Sequence, residues 1–134
     1  MRIVLDTNVL ISGIFFGGIP SRILDEWGLD RFSVYASPSI LDEYLRVIDR
    51  MRSTEAHKAM ADQWSAMLPK VCRMVPDQRL SHPVSRDPSD DKFIACALNA
   101  KAAYLVTGDL DLKTLPPQSG FKIVSPKDFL NILK

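Results

Sequence analysis

Short aliphatic runs alternate with helical stretches along this chain, and that alternation leaves few folds open to it. Arg2-Ile3-Val4-Leu5 reads as a fully buried strand. Val9, Leu10, Ile11, Ile14 and Phe15 then supply the apolar face of a helix, with Thr7 and Asn8 as cap-type residues before it. Gly17-Gly18-Ile19-Pro20-Ser21 breaks that helix, and Ile23, Leu24 and Trp27 begin another. Phe32 to Ala36 is a second strand, and Ser37-Pro38-Ser39 opens a helix with Ile40, Leu41, Tyr44, Leu45 and Ile48 on one side. A helical segment from about Arg52 to Leu68 carries Met60, Trp64 and Met67 on one face and is expected to end at Pro69. A short strand at 71–75, a long polar loop at 77–89, a helix at about 90–101, strands at 103–107 and 121–124 and a helix at 126–133 complete the pattern. It predicts an α/β fold of three layers with a mostly parallel central sheet.

With 134 residues, 46% of them apolar and 25% charged, the chain fits a single ordered domain spanning 1–134. Seventeen basic residues stand against sixteen acidic ones, so any phosphate-binding surface has to be local. Cys72 and Cys96 lack metal-ligand spacing between themselves or with His57 and His82, and read as buried thiols. Asp6 interrupts the first apolar run, so no secretory signal peptide is expected. No run reaches the roughly 18 apolar residues of a membrane span. The expected location is the cytoplasm, away from any membrane.

The acids carry the functional signal. Open parallel sheets bind ligands outside the carboxyl ends of their strands, and Asp6 and Asp109 both follow predicted strands. N-capping also accounts for Asp6, though Thr7 and Asn8 can do that work. Asp87, Pro88 and Asp90 look like a helix start, with Asp87 as the cap and Asp90 reaching back to it. Asp91 differs: it shares a face with Ile94, Ala95 and Leu98, and a charge there needs a partner. At Asp42-Glu43 periodicity leaves the choice open. Asp109 and Asp111 follow Gly108 as Asp-x-Asp, which suits oxygen-ligand metal binding and an Asx-turn equally well. Carboxylates gathered in one crevice repel, and a divalent cation is the usual reason for gathering them.

Asp6-Thr7-Asn8-Val9-Leu10-Ile11-Ser12, the acid Glu43, Asp91-Lys92-Phe93-Ile94-Ala95 and Val106-Thr107-Gly108-Asp109 together resemble the PIN-domain nucleases. The likeness extends over essentially the whole chain and is greatest to the single-domain prokaryotic toxins of toxin–antitoxin pairs. It implies a parallel α/β/α sandwich, an acidic site for Mg²⁺ or Mn²⁺, endonucleolytic cleavage of RNA, a homodimer and a possible antitoxin partner. Carried over residue by residue, Asp6, Glu43, Asp91 and Asp109 match the acidic quartet, and Asp111 is an additional candidate ligand. Thr7, Asn8 and Thr107 match the polar positions beside the quartet. The family match is what selects Glu43 over Asp42.

Bound Mg²⁺ lowers the pKa of water and stabilises a leaving oxyanion, the two demands of phosphodiester hydrolysis. Arg46, Arg86 and Lys92 lie beside the quartet in sequence and are candidates for the substrate phosphate; a solvated helix face is the alternative. Two other functions remain open at this stage. One is a receiver- or phosphatase-like domain transferring phosphoryl groups with Mg²⁺, faintly suggested by Ser125-Pro126-Lys127. The other is a non-catalytic RNA- or protein-binding module on the same fold.

Overall fold

A computed structural model of the chain describes residues 1–80, 88–109, 112 and 120–134. Five strands, β1 (Arg2–Leu5), β2 (Ser33–Ala36), β3 (Arg73–Met74), β4 (Tyr104–Val106) and β5 (Lys122–Val124), form one sheet in the order β3-β2-β1-β4-β5. Every pairing is parallel. The helices are α1 (Thr7–Phe15), α2 (Gly18–Gly28), α3 (Pro38–Asp49), α4 (Glu55–Val71), α5 (Asp91–Asn99) and α6 (Pro126–Leu133). The result is the expected α/β/α sandwich.

In β1, Ile3, Val4 and Leu5 are all fully buried, although successive side chains on a strand point to opposite faces. Both faces of the central strand are therefore covered, as a parallel sheet requires. The chain turns one way from β1 to β2 and β3, and the other way to β4 and β5. The reversal lies between β1 and β4, so a crevice opens at the carboxyl ends of those two strands.

Packing around α1 depends on two backbone features. Gly17 and Gly18 adopt φ of 75° and 72°, a region that side chains disfavour, and α1 and α2 meet there at 93°. A Cβ on Gly13 would stand 2.9 Å from the Pro20 carbonyl oxygen and 2.7 Å from the Leu24 side chain. Gly13 thus lets α2 lie close against α1.

Several boundaries differ from those expected. α4 continues through Pro69 to Val71, because the Cys72 amide still bonds the Leu68 carbonyl at 3.0 Å and Leu68 is fully buried. The proline removes one bond near the end of the helix and does not stop it. Ahead of α5 lies a 3₁₀ turn, Pro88–Asp90, and Asp90 occupies the cap position in helical conformation without a side-chain cap hydrogen bond. The capping box expected between Asp87 and Asp90 falls on Asp87, which lies outside the described residues. Leu98, expected on the buried face of α5, is 40% exposed; the buried side chains are Phe93 to Ala97. At α6 the expectation holds: Pro126 opens the helix, and Ser125 Oγ accepts the Asp128 amide at 3.1 Å. Among the described residues, no single helix is long and apolar enough to cross a membrane.

Candidate active site at the carboxyl ends of β1 and β4

Leu5 on β1 stands opposite Val106 on β4, so the residues that follow these strands leave the sheet as neighbours. The Asp6 amide still bonds the Val106 carbonyl at 3.0 Å. Beside it, the buried Thr107 hydroxyl donates to Asp6 Oδ2 at 2.7 Å and accepts the Asp109 amide at 2.9 Å. One threonine oxygen therefore ties the Asp6 carboxylate to the Asp109 backbone. Asp6 is only 6% exposed, and although it occupies the cap position of α1, its side chain makes no cap hydrogen bond.

Burial is the main influence on Asp6 and raises its pKa; the Thr107 hydroxyl opposes it, Asp109's charge raises it further, and the Asn8 and Thr7 amides draw it down. The balance leaves Asp6 above the ordinary carboxylate value. Thr7 and Asn8 belong to the first turn of α1 and do not cap it. Asn8 is exposed, and its backbone amide lies near enough to the Asp6 carboxylate to lower its pKa.

The second half of the site comes from α3 and α5. Thr7 donates its hydroxyl to Glu43 Oε2, and Lys92 Nζ lies 2.7 Å from Glu43 Oε1. Lys92 Nζ also donates to the Ser89 carbonyl at 2.6 Å. Burial alone would push Glu43 up, but hydrogen bonds from Lys92 and Thr7, with the positive charges of Lys92 and Arg46, pull it below the ordinary value. Asp42 points elsewhere and pairs with Arg46 at 3.1 Å on the surface. Where periodicity left two choices, Glu43 is the acid that faces the site. Asp91 is the first residue of α5, half-buried, on a helix packed against β1, β2 and β4. Asp111 and Arg86 lie outside the described residues.

Sequence reasoning placed Tyr44 among the apolar residues of α3 and overlooked its oxygen. The side chain is fully buried, and its hydroxyl donates to the Leu5 carbonyl immediately before Asp6. Burial first, then the nearby Cys72, Cys96, Asp6 and Glu43, hold Tyr44 well above its ordinary pKa, so it remains a donor. A tyrosine among isoleucines and leucines is the signal, since a buried hydroxyl needs a partner. Lys92, a candidate for substrate phosphate, lies beside Glu43. Arg46 is engaged with Asp42, and Arg52 with Asp49 and Asp62. Cys72 and Cys96 are buried free thiols, each pushed up to about 12, chiefly by burial.

Among the described residues, no three His, Cys, Asp or Glu side chains form a group that could hold a metal ion. Two carboxylates have the donor chemistry for one. Asp109 raises Asp6 by its charge, both offer hard oxygen donors, and Mg²⁺ commonly takes one or two carboxylates and keeps several waters.

A family model described as PIN domain matches residues 2–111. The chain belongs to the PIN domain family. An uncharacterized protein of Methanocaldococcus jannaschii, MJ1680, is 30% identical over 141 aligned positions, which cover 97% of this chain and 90% of that protein. Two solved structures share its fold, each covering 93% of this chain and 98% of the other: VapBC2 from Rickettsia felis bound to a promoter DNA fragment (14% identity, TM-score 0.62) and FitAcB from Neisseria gonorrhoeae (15%, 0.61). In this PIN domain the matched region contains Asp6, Glu43, Asp91 and Asp109.

Proposed function

We propose that this PIN domain, a single domain over residues 1–134, is a divalent-metal-dependent endoribonuclease and the toxin of a toxin–antitoxin pair. The observation that carries the reading is the cluster at the β1/β4 switch point, where the Thr107 hydroxyl joins Asp6 and Asp109. Thr7, adjacent to Asp6, extends the cluster to Glu43. Asp6 and Asp91 would bind Mg²⁺ or Mn²⁺, with Glu43, Asp109 and Asp111 completing the site once the side chains close on the ion. When bound, the cation makes water a better nucleophile and neutralises charge on the leaving oxygen.

The chain's own residues prepare that chemistry. Thr107 and Tyr44 fix the end of β1, so Asp6 is held in one orientation before substrate arrives. Burial of Asp6 keeps its surroundings at low dielectric, where charge–charge effects are large. Lys92 and Arg46 bring positive charge to the Glu43 side of the crevice, suited to the RNA backbone.

The toxin assignment rests on the likeness of the acidic set to prokaryotic PIN toxins and on the shared fold of VapBC2 and FitAcB. It implies an antitoxin protein partner and action in the cytoplasm. Phe16, 67% exposed, and Ile19, beside the Gly17-Gly18 turn, offer a second copy the apolar contact of a homodimer.

The test is cleavage of a mixed single-stranded and structured RNA pool by wild-type protein and Asp91→Asn, with Mn²⁺, Mg²⁺ or EDTA. Metal-dependent cuts that disappear in the variant are expected. Cuts that survive EDTA, or equal cutting by the variant, would overturn the assignment.

A further inference from the structure

A cleft of about 350 Å³ opens beside the acidic crevice, between the start of α3, the start of α5 and the segment Pro76–Arg79. Ser39, which lines it, stands four residues before Glu43 on α3, one turn along the same face and about 6 Å away. Lys92 joins the two places: its side chain lines the cleft while its ammonium lies 2.7 Å from Glu43 Oε1. A strand of RNA lying across the acids therefore has this cleft next to it, and its volume is that of a small-ligand site.

The segment that carries Asp77 is tied on three sides. The Val75 amide bonds the Ala36 carbonyl at 3.0 Å, and the Asn99 side-chain amide donates to the Pro76 carbonyl at 3.0 Å. Asp77 Oδ1 accepts the Ser39 hydroxyl at 2.6 Å and the Ser39 amide at 3.3 Å. Asp77 is thus a fixed carboxylate. The Ser39 hydroxyl, above all, draws its pKa below the ordinary value, so it meets a ligand ionised. A carboxylate has about four lone-pair sites, more than Ser39 occupies. An anion placed here turns phosphate away and accepts N–H donors.

We propose that this cleft receives the base of a nucleotide next to the cut, and that Asp77 makes it select guanine. The inference rests on the proposed ribonuclease function and names a specificity-determining residue for it. Bases of single-stranded RNA present their Watson–Crick edges freely. Guanine alone has two adjacent donors there, N1–H and the N2 amino group, matching the two oxygens of a carboxylate. Cytosine and adenine place an acceptor nitrogen beside their amino group, and uracil holds its one N–H between two carbonyls. Each of these sets an acceptor against Asp77. Gln78 and Arg79 line the same cleft and supply donors for guanine O6 and a neighbouring phosphate. Pro76 and Cys96 add apolar surface for the face of the ring.

Asp77 also holds the first turn of α3 through the Ser39 amide, so a lower rate in an Asp77 variant has two explanations. A ratio of rates on RNAs that differ by one amino group has only one. Cut positions in a random-sequence RNA pool would first be mapped with wild type in Mn²⁺, and guanine is expected at one fixed position beside the cut. Short RNAs with guanine, inosine (guanine lacking the N2 amino group) or adenine at that position would then be compared by kcat/KM. Wild type should prefer guanine to either by about fivefold or more, the lower end for a paired base contact. Asp77→Asn and Asp77→Ser, once thermal melts confirm folding, should cut the guanine and inosine RNAs alike. The wild-type ratio stands as a test even if neither variant folds. Cuts without guanine at a fixed position, equal wild-type rates on guanine and inosine, or variants that keep the wild-type ratio would overturn the subsite and leave the nuclease reading standing. If wild type cuts no RNA in Mn²⁺, the nuclease reading itself falls and takes the subsite with it.

Discussion

Two carboxylates near the end of β1, Asp6 directly after the strand and Glu43 reaching Thr7 from α3, have been treated differently by the fold. Asp6 is surrounded by a hydroxyl, two amides and another acid, and its pKa is raised; Glu43 receives an ammonium and a hydroxyl, and its pKa is lowered. The difference follows from topology. Asp6 and Asp109 emerge from adjacent parallel strands, and the neighbours near that crevice are strand-end backbone and a threonine. Glu43 stands on a helix opposite the start of α5, where Lys92 reaches across. One side of the site thus carries its own cation and the other carries strain that a cation relieves. Holding unfavourable charge ready for a ligand costs stability, a common feature of functional sites.

The largest expected effect separates the two sides by activity. Asp6→Asn should lower RNA cleavage by at least about 100-fold, because changing a ligand should exceed the roughly 10–100-fold cost of disturbing a ligand's supporting hydrogen bonds. Glu43→Gln should cost less. Rate constants measured for the two variants at saturating Mn²⁺ decide the order, and a larger loss for Glu43→Gln would reverse the ranking of the two sides.

Tyr44→Phe comes next. It removes the donor to the buried Leu5 carbonyl without changing the shape of the core. A buried acceptor left unsatisfied costs about 1–3 kcal/mol, which denaturant unfolding would read as a lower midpoint. A midpoint equal to wild type would show that the hydroxyl does not hold the end of β1.

A smaller effect is expected from the Glu43–Lys92 pair. Its members are partly exposed, so Glu43→Gln should lower stability at neutral pH by under about 1 kcal/mol, and less in high salt. Glu43's pKa is lowered on folding, so its contribution is present above the ordinary glutamate value and disappears as pH falls below it. Melts of wild type and Glu43→Gln should therefore converge toward acid pH; a gap that persists there would assign the effect to packing.

The sheet was largely legible because its strands are aliphatic runs too short to be helices. The unbroken burial of Ile3 to Leu5 and of Leu105 and Val106 shows why run length, not alternation, carried the signal. Pro69 misled because a proline near a helix end loses one bond while Leu68 anchors the turn. Asp6 and Asp109 could be placed from strand ends alone, while Thr107 came only with the family likeness. Glu43 could not be told from Asp42 by angle on α3, since the difference lies in what approaches from α5. The contacts of Lys92 and Tyr44 were not readable for the same reason: they join residues 39 to 49 positions apart, which local pattern does not encode.

The most direct test of the contrast is the melting temperature of wild type and Asp6→Asn across pH, with and without Mn²⁺. Asp6's raised pKa means that its favourable contribution is present below the ordinary aspartate value, about pH 4, and is lost as pH rises through the folded pKa. Without metal, Asp6→Asn should be the more stable protein at pH 7, by roughly 0.5–2 kcal/mol, with the advantage fading toward acid pH. Mn²⁺ at about 100 times its dissociation constant should then stabilise wild type by about 2.7 kcal/mol and the variant by much less. A variant less stable than wild type at pH 7, with both proteins indifferent to Mn²⁺, would contradict the account.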